Sequence, residues 1–282
     1  MNAAVNAAVN AAVNAADLLA GACRVEVLAA QQGLRGPRPD WLAEERPVAL
    51  VANGVSQAVM LATPAQLEDF ARGFAFTEGW LERPADLRSV EAVALDEGLE
   101  LRIAVSSACE WRLKERRRLL AGRTGCGLCG AESLQQVHLP LPLLAAQPLS
   151  AAALERALAQ LRESQPLQHL TGATHAAGWA SRAGELLAVR EDVGRHNALD
   201  KLLGHLLWQR DFDPRAGFVC VTSRASFELV QKTARAGIAT LAAVSAPTQL
   251  AVQTADAAGL LLIGFARGAD WVAYTHTDRM LA

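Results

Sequence analysis

The sequence lacks the features of a membrane, exported or nucleic-acid-binding protein. Its 27 Lys and Arg residues are balanced by 29 Asp and Glu, and the formal charge of -2 leaves no basic excess to attract nucleic acid or an acidic membrane surface. No stretch comes close to the roughly 20 apolar residues that a membrane span requires, and no basic segment precedes an apolar one at the start of the chain. We therefore expect a soluble, cytoplasmic protein with no nucleic acid or membrane partner.

Cysteine is also scarce, and its placement does not suggest the disulfide framework of a small secreted domain. The cysteines are odd in number and unevenly spread, at Cys23, Cys109, Cys126, Cys129 and Cys220. In the reducing compartment that this pattern indicates, a Cys-x-x-Cys pair is more often catalytic or metal-binding than structural. No G-x-G-x-x-G sequence follows a predicted strand and opens a helix, and the chain has no P-loop, so nothing predicts a dinucleotide cosubstrate or ATP hydrolysis.

The chain is long enough to form two domains. With 282 residues, 51% of them hydrophobic, the protein can bury a proper core. Residues 1–22 form a low-complexity tail that repeats Asn-Ala-Ala-Val, and we expect this tail to be disordered. Residues 23–149 are expected to form a smaller α+β domain that ends in the Cys-x-x-Cys loop, and residues 150–282 a larger α/β domain.

Local patterns in the first region predict both strands and helices. Residues 48–52 and 55–62 have the pattern of a hairpin around the two-residue turn Asn53-Gly54. A helix is expected to follow, starting with a capping box from Thr63 to Gln66. Two strands at 90–95 and 99–105 and a helix from Ser107 to near Gly122 complete the region.

The second region alternates apolar strands with helices, which predicts a parallel sheet covered on both faces. The strands are expected at 218–222, 238–244 and 260–265, and the helices between them at 226–236 and 248–258. Before them we expect a helix at 150–165, strands at 175–181 and 185–190, and a helix at 197–208 that Asn197 would cap. Ligands of such sheets bind at the carboxyl ends of the strands, here around 223–224, 245–247 and 264–268.

Two thiols stand in a glycine-rich loop. A structural zinc site needs about four Cys or His ligands, commonly as two close pairs, and this chain has no second pair, so thiol chemistry is favoured for Cys126 and Cys129. Basic residues outnumber the single acid Glu115 in the segment before them, at Arg112, Lys114, Arg116, Arg117, Arg118 and Arg123. These cations would lower a thiol pKa from its usual value of about 8.5, hold an anionic ligand or partner, or only form a solvated helix face.

A second cluster places charge between a strand and a helix. If Asn197 caps the helix alone, then Asp192, Arg195 and His196 are free to bind or to catalyse, and an ion-paired loop is the alternative. A lone histidine at the start of a strand, such as His175, is more often structural.

A third cluster follows one of the predicted parallel strands. Backbone amides at a helix start, together with Ser223, Arg224 and Ser226, could hold phosphate oxygens, and Arg267 could add a second anion contact. An ordinary capped helix with solvated arginines is the alternative.

Five segments together carry a resemblance to a known family, namely 125–130 (GCGLCG), 171–176 (TGATHA), 190–201 (REDVGRHNALDK), 223–232 (SRASFELVQK) and 264–268 (GFARG). They resemble the FdhD family, the formate dehydrogenase accessory sulfurtransferases. The match covers nearly everything after residue 23. The segment 190–201 is the most specific, because a Cys-x-x-Cys alone occurs in many unrelated proteins.

The resemblance implies a fold and an activity. The larger domain is expected to be similar to the cytidine deaminase fold, a three-layer arrangement with a mainly parallel sheet, and the protein to form a homodimer. A cysteine desulfurase would place sulfur on Cys126 as a persulfide, with Cys129 as the second thiol. The sulfur would then pass to the molybdenum cofactor, bis-molybdopterin guanine dinucleotide, before that cofactor enters the formate dehydrogenase apoenzyme.

The resemblance also implies a binding stretch for this cofactor, which is a bound substrate with guanine nucleotide moieties. The residues carried over are Phe265, Ala266, Arg267, Gly268, Ala269 and Asp270, to which the clusters above add Ser223, Arg224 and His196. No metal ion of the protein's own is expected. The chain departs from the family in its Asn-Ala-Ala-Val tail and at Thr222-Ser223, where a glycine is expected before Arg224.

Three other functions compete with this interpretation. A thiol-disulfide oxidoreductase would need the Cys-x-x-Cys at a helix start in a thioredoxin-like unit, and it would leave the large second domain without a purpose. A zinc deaminase lacks both its H-x-E and its P-C-x-x-C motif in this sequence. A non-catalytic chaperone that only holds the cofactor is compatible with the sequence.

Overall fold

A computed structural model describes residues 20–31, 34–121 and 139–281. Within these ranges the chain forms fourteen strands and seven α-helices. The strands are β1 (Ala22–Gln31), β2 (Leu34–Ala43), β3 (Arg46–Ala52), β4 (Val55–Ala62), β5 (Leu87–Leu95), β6 (Gly98–Val105), β7 (Leu149–Ser150), β8 (His175–Ser181), β9 (Leu186–Asp192), β10 (Gly217–Val221), β11 (Thr240–Ala243), β12 (Leu261–Arg267), β13 (Asp270–Ala273) and β14 (Met280–Leu281). The helices are α1 (Leu67–Thr77), α2 (Ser107–Ala121), α3 (Ala151–Glu163), α4 (Pro166–Thr171), α5 (Arg195–Leu207), α6 (Phe227–Arg235) and α7 (Gln249–Ala258). Of the predicted tail, 1–22, only the last three residues are described, and Cys126 and Cys129 lie outside the described residues.

The first part of the chain forms a ribbon and a four-stranded sheet. β1 and β2 pair only with each other, whereas the sheet has the order β4-β3-β6-β5. The β3–β4 hairpin turns at Asn53 and Gly54, whose φ angles of 43° and 79° suit a two-residue turn with two left-handed residues. The predicted hairpin is therefore confirmed. The predicted strands on either side of the Asp96-Glu97-Gly98 turn are confirmed as β5 and β6.

The predicted start of the next helix is wrong. α1 begins at Leu67, and Thr63 does not cap it. The hydroxyl of Thr63 instead accepts a hydrogen bond from the Val193 amide, and its carbonyl accepts one from Lys201. The local capping signal was overridden because the polar groups of Thr63 are used by a distant part of the chain.

The large sheet has the order β13-β12-β11-β10-β8-β9. Only β10, β11 and β12 run parallel to one another, as predicted, while β8, β9 and β13 join in antiparallel fashion. The sheet is thus mixed, and the expectation of a mainly parallel sheet was wrong. The reason is connection length, since β8–β9 and β12–β13 are joined by turns too short for the crossover that parallel pairing requires.

Helices cover both faces of this sheet, as the alternation of strands and helices predicted. Leu154 and Leu161 of α3 pack with Ile263 on one face. On the other face, α5, α6 and α7 contribute Leu202, Val230 and other residues to a second core. The resulting α/β layering is observed, whereas the likeness to cytidine deaminase and the division into 23–149 and 150–282 stay predictions.

α1 and α5 cross at close range and join the two sheets. A Cβ built on Gly73 would overlap the carbonyl oxygen of Asp200, and one on Gly204 would overlap that of Asp69. Glycines are therefore required at both positions for the helix backbones to touch. In the described ranges, no helix is long and apolar enough to cross a membrane.

Candidate functional site

A cavity of about 1120 Å³ opens at the carboxyl ends of the parallel strands. Its floor includes Thr222, Val244 and Ala266, which follow or end β10, β11 and β12, and α3 and α4 form its other wall. The remaining lining residues are Glu155, Leu158, Ala159, Leu161, Arg162, Glu163, Gln165, Gln168, His169, Gly172, Ala173, Thr174, His175, Arg267 and Gly268. The position agrees with the general rule for ligand sites in α/β sheets.

Arg267 reaches the cavity from the end of β12. Its Nε donates to the carbonyl of Val244 at 3.0 Å, which ties the side chain to the neighbouring strand. Gly268, with a φ of 58°, turns the chain in the two-residue connection to β13, and Arg267 and Asp270 face each other in the backbone register. No ion pair joins Arg267 and Asp270 in the described structure, so the rest of the guanidinium is available to a ligand.

Phe265 has an unusual backbone for an aromatic residue. It lies in an irregular part of the β12–β13 pairing, with a φ of 52°, and its amide donates to the carbonyl of Ser245. Its side chain is 44% exposed and does not line the cavity. Left-handed backbone at a non-glycine residue costs free energy and is commonly found at functional sites.

Ser223 and Arg224 lie in the loop after β10, beside the cavity but not in its lining. Ser223 is buried, and its hydroxyl donates to the carbonyl of Arg224, whose side chain is exposed. The loop is bound to the next carboxyl-end loop, because the Ala225 amide donates to Ala246 and the Thr248 amide donates to Ala225. The two predicted ligand loops therefore lie side by side.

His196 lies on the face of the sheet that α5 covers. Its Nε2 is 2.8 Å from Glu228 Oε2 and 3.3 Å from the hydroxyl of Ser226. The hydrogen bond from His196 lowers the pKa of Glu228. Ser226 stands at the N-cap position of α6 without making a side-chain cap, so its hydroxyl is available to the imidazole.

The charged segment 190–201 is largely structural, and two predictions about it are wrong. Asp192 is fully buried, accepts from the amides of Thr63 and Gly194, and forms an ion pair of 2.7 Å with Lys201. It is therefore not free to bind or catalyse. Asn197 does not cap the helix either: α5 begins at Arg195, and the Asn197 amide group donates to Asp192 and to the carbonyl of Leu61.

The structure brings together only part of the predicted site. Ala266, Arg267 and Gly268 line the cavity, whereas Phe265, Ala269, Asp270, Ser223, Arg224 and His196 do not. Sequence reasoning missed the contribution of α3 and α4, including Arg162, Gln168 and His169. The apolar pattern of α3 predicts only that the helix packs on the sheet, and the charged residues beside that face, such as Arg162, are the signal that could have found this wall.

Two of the three described cysteines have the burial and the raised pKa of unreactive thiols. Cys109 and Cys220 are fully buried, and burial raises the pKa of both thiols, that of Cys220 to about 12. Cys23, on the β1–β2 ribbon, is exposed. No group of three His, Cys, Asp or Glu side chains suited to a metal ion occurs in the part of the chain that the structure describes.

The fold and these segments define the chain as a member of the FdhD/NarQ family, whose model matches residues 43–281. The resemblance seen in the sequence is thereby confirmed. Among its relatives, the sulfur carrier protein FdhD of Bordetella petrii is 53% identical over 257 residues, which are 90% of this chain and 92% of that protein. The sulfur carrier protein FdhD of Variovorax paradoxus is 55% identical over 242 residues, covering 86% and 87% of the two chains.

A solved structure is also similar. A crystal structure from Desulfotalea psychrophila, named as a formate dehydrogenase accessory protein, superposes with a TM-score of 0.74 at 23% identity. The superposition covers 92% of this chain and 99% of that one. At this level of identity the likeness shows the fold alone.

Proposed function

We propose that the chain is a sulfur carrier and sulfurtransferase required for formate dehydrogenase activity. It accepts sulfur from a cysteine desulfurase as a persulfide on Cys126 and passes it to bis-molybdopterin guanine dinucleotide before this substrate enters the formate dehydrogenase apoenzyme. The observation that supports this most is that relatives more than half identical, named as sulfur carriers, match the chain over nearly its whole length.

The chemistry of two of the other cysteines argues against them as the sulfur acceptor. A sulfur acceptor must reach the thiolate state and meet the desulfurase at the surface. Cys109 and Cys220 meet neither condition, because both are buried and have raised pKa values. Cys126 and Cys129 stand in a glycine-rich sequence, and we assign the persulfide to Cys126.

The cavity is the proposed binding place of the cofactor. Its volume of about 1120 Å³ exceeds the usual range for small-ligand pockets, roughly 300–1,000 Å³, and thus suits a large substrate. Arg267 would contact its phosphates, with Ala266 and Gly268 below and Phe265, Ala269 and Asp270 at the margin. Ser223, Arg224 and His196 complete the proposed set from the neighbouring loop and from α5.

We assign the protein to the cytoplasm, where a desulfurase supplies sulfur and the formate dehydrogenase apoenzyme receives the cofactor. We also propose that two copies form a homodimer. The protein needs no resident metal ion for these steps.

Mass spectrometry tests the carrier role directly. The full chain is incubated with a cysteine desulfurase and cysteine, and the intact mass and thiol-containing peptides are measured. We expect the mass of one sulfur atom on the peptide containing Cys126, removable by a reducing agent. A chain that gains no sulfur but still binds guanosine diphosphate would instead be a cofactor-holding chaperone.

A further inference from the structure

His175 borders the cavity, and the polar side chains next to it already have hydrogen-bond partners within the protein. It is the first residue of β8, and its side chain is half-buried. The hydroxyl of Thr174 donates to Glu191, and that of Thr222 accepts from the Ala176 amide. No hydrogen bond joins the His175 ring to another described residue, so its nitrogens are available to whatever enters the cavity.

Two basic side chains of α5 lie close enough to act on this ring. Burial is the main reason that the pKa of His175 lies below its ordinary value, and the charges of Arg195 and His196 lower it further. The buried Nε of Arg195 has no acceptor among the described residues. Glu228 of α6 pairs with His196 and also interacts with the charge of Arg195, whereas no ion pair joins Glu228 to the His175 ring in the described structure.

Other charged groups line the cavity itself. α3 contributes Glu155, Arg162 and Glu163, α4 contributes His169, and the β12–β13 connection contributes Arg267. No ion pair links these acids to the His175 ring in the described structure. The carboxylate beside His175 in the sheet register, Asp192, is already paired with Lys201.

We propose that His175 is a further binding residue of the cavity, which is neutral in the free protein and takes up a proton when a phosphate-bearing substrate enters. This inference depends on the proposed function only in placing such a substrate in the cavity. Arg267 lines the same cavity from β12, with β10 and β11 between it and β8, so the two side chains would contact different parts of one ligand.

The physical reason is the change in charge around the ring. An anion within about 4–6 Å favours the protonated imidazole and raises its pKa, opposing the effects of burial and of the basic side chains of α5. Between the lower pKa of the free protein and the higher one of the complex, each binding event takes up protons. By linkage, affinity then falls as pH rises through this window.

Calorimetry of guanosine diphosphate binding tests the inference. Titrations in buffers of different ionisation enthalpy at one pH near neutrality give the number of protons taken up. We compare the wild-type chain with His175→Gln and with His205→Gln. His205 is a matched control, because burial also lowers its pKa while it faces Asp69, away from the cavity.

We expect the wild type and His205→Gln to take up protons to the same extent, and His175→Gln to take up measurably fewer. For each pH unit near neutrality, wild-type affinity should fall up to about tenfold more than that of His175→Gln, since one linked proton gives at most tenfold per pH unit. Titration of the nucleotide's own phosphate cancels in this comparison. Equal proton uptake by the wild type and His175→Gln would overturn the inference while leaving the cofactor site intact, whereas no nucleotide binding by the wild type would overturn both.

Discussion

Arg267 shows how a side chain can be oriented towards a cavity by a backbone contact and without an ion pair. Its Nε is bound to the Val244 carbonyl, and no ion pair with Asp270 is present in the described structure. A single backbone contact fixes the direction of the guanidinium but leaves its charge uncompensated. Such a cation can make charge-assisted hydrogen bonds to phosphate.

We therefore expect Arg267→Ala to weaken guanosine diphosphate binding by roughly 10- to 100-fold, since charge-assisted hydrogen bonds contribute about 1.5–3 kcal/mol. Thermal stability should change little, and sulfur loading of Cys126 should be unaffected. Arg215→Ala is the matched control, because this exposed arginine pairs with Asp213 on a distant loop. A large loss of melting temperature with normal nucleotide binding would assign Arg267 a structural role instead.

A second prediction concerns the thiols. Cys126→Ala should abolish formate dehydrogenase maturation in a deletion strain, because no other thiol replaces the persulfide carrier, and Cys129→Ala should be milder. Cys23→Ala is the control: this thiol is exposed on the ribbon, and its loss should leave maturation intact. Full maturation by Cys126→Ala would rule out the persulfide assignment.

Single residues also mark the limit of sequence reasoning. The roles of Asp192 and Asn197 could not be predicted locally, because their partners include Thr63 and Leu61, more than 120 positions away. Arg267 could be predicted, because its position after an apolar strand places it at the ligand edge of a parallel sheet. The sequence predicts a structural role for His175, since nothing in its own segment indicates the cavity beside it.

At the scale of elements, the contact between α1 and α5 gives a third prediction. Gly73→Ala should lower the free energy of unfolding by on the order of 1–3 kcal/mol, because a methyl group would force the helices apart. In an isolated helix the same change would stabilise by about 1 kcal/mol, so the sign alone is informative. Chemical denaturation measures it.

Gly36→Ala provides the comparison, since a Cβ at Gly36 meets nothing within 4 Å. Its effect should stay within about 0.5 kcal/mol, as for ordinary surface positions. If Gly73→Ala proves as harmless as Gly36→Ala, the close approach of the helices is not required for stability.

Elements with strong local signals were predicted well. The β3–β4 hairpin follows from Asn53-Gly54, and α3 begins after Ser150, whose hydroxyl accepts from the Ala153 amide. The antiparallel direction of β8 and β13 in the sheet cannot be predicted in this way, because apolar patterns indicate burial and not strand direction. The start of α1 failed for a different reason, namely the tertiary bonds of Thr63.

For the whole molecule we predict a homodimer. The β1–β2 ribbon has no buried side chain among those described, and Leu28 is 77% exposed. Two-stranded ribbons are marginally stable in water without further packing. Sedimentation equilibrium at micromolar concentration should give twice the mass of the chain.

A variant of the ribbon sharpens this test. Leu28→Glu should shift the equilibrium towards monomer if a second copy covers the ribbon, whereas Leu95→Glu, at an exposed position on β5, should not. A single chain mass for the wild type at these concentrations would contradict the prediction.

The hydrogen bonds between Thr63 and the segment 192–201 can form only after the ribosome has synthesised that later segment. Thr63 meets Lys201 across 138 positions of the chain. At about 5–20 residues per second, a ribosome needs roughly 7–28 s to add them. During that interval neither Thr63 nor the face of α1 that contains Gly73 has its partner in α5. These surfaces therefore stay accessible to chaperones until α5 has left the exit tunnel.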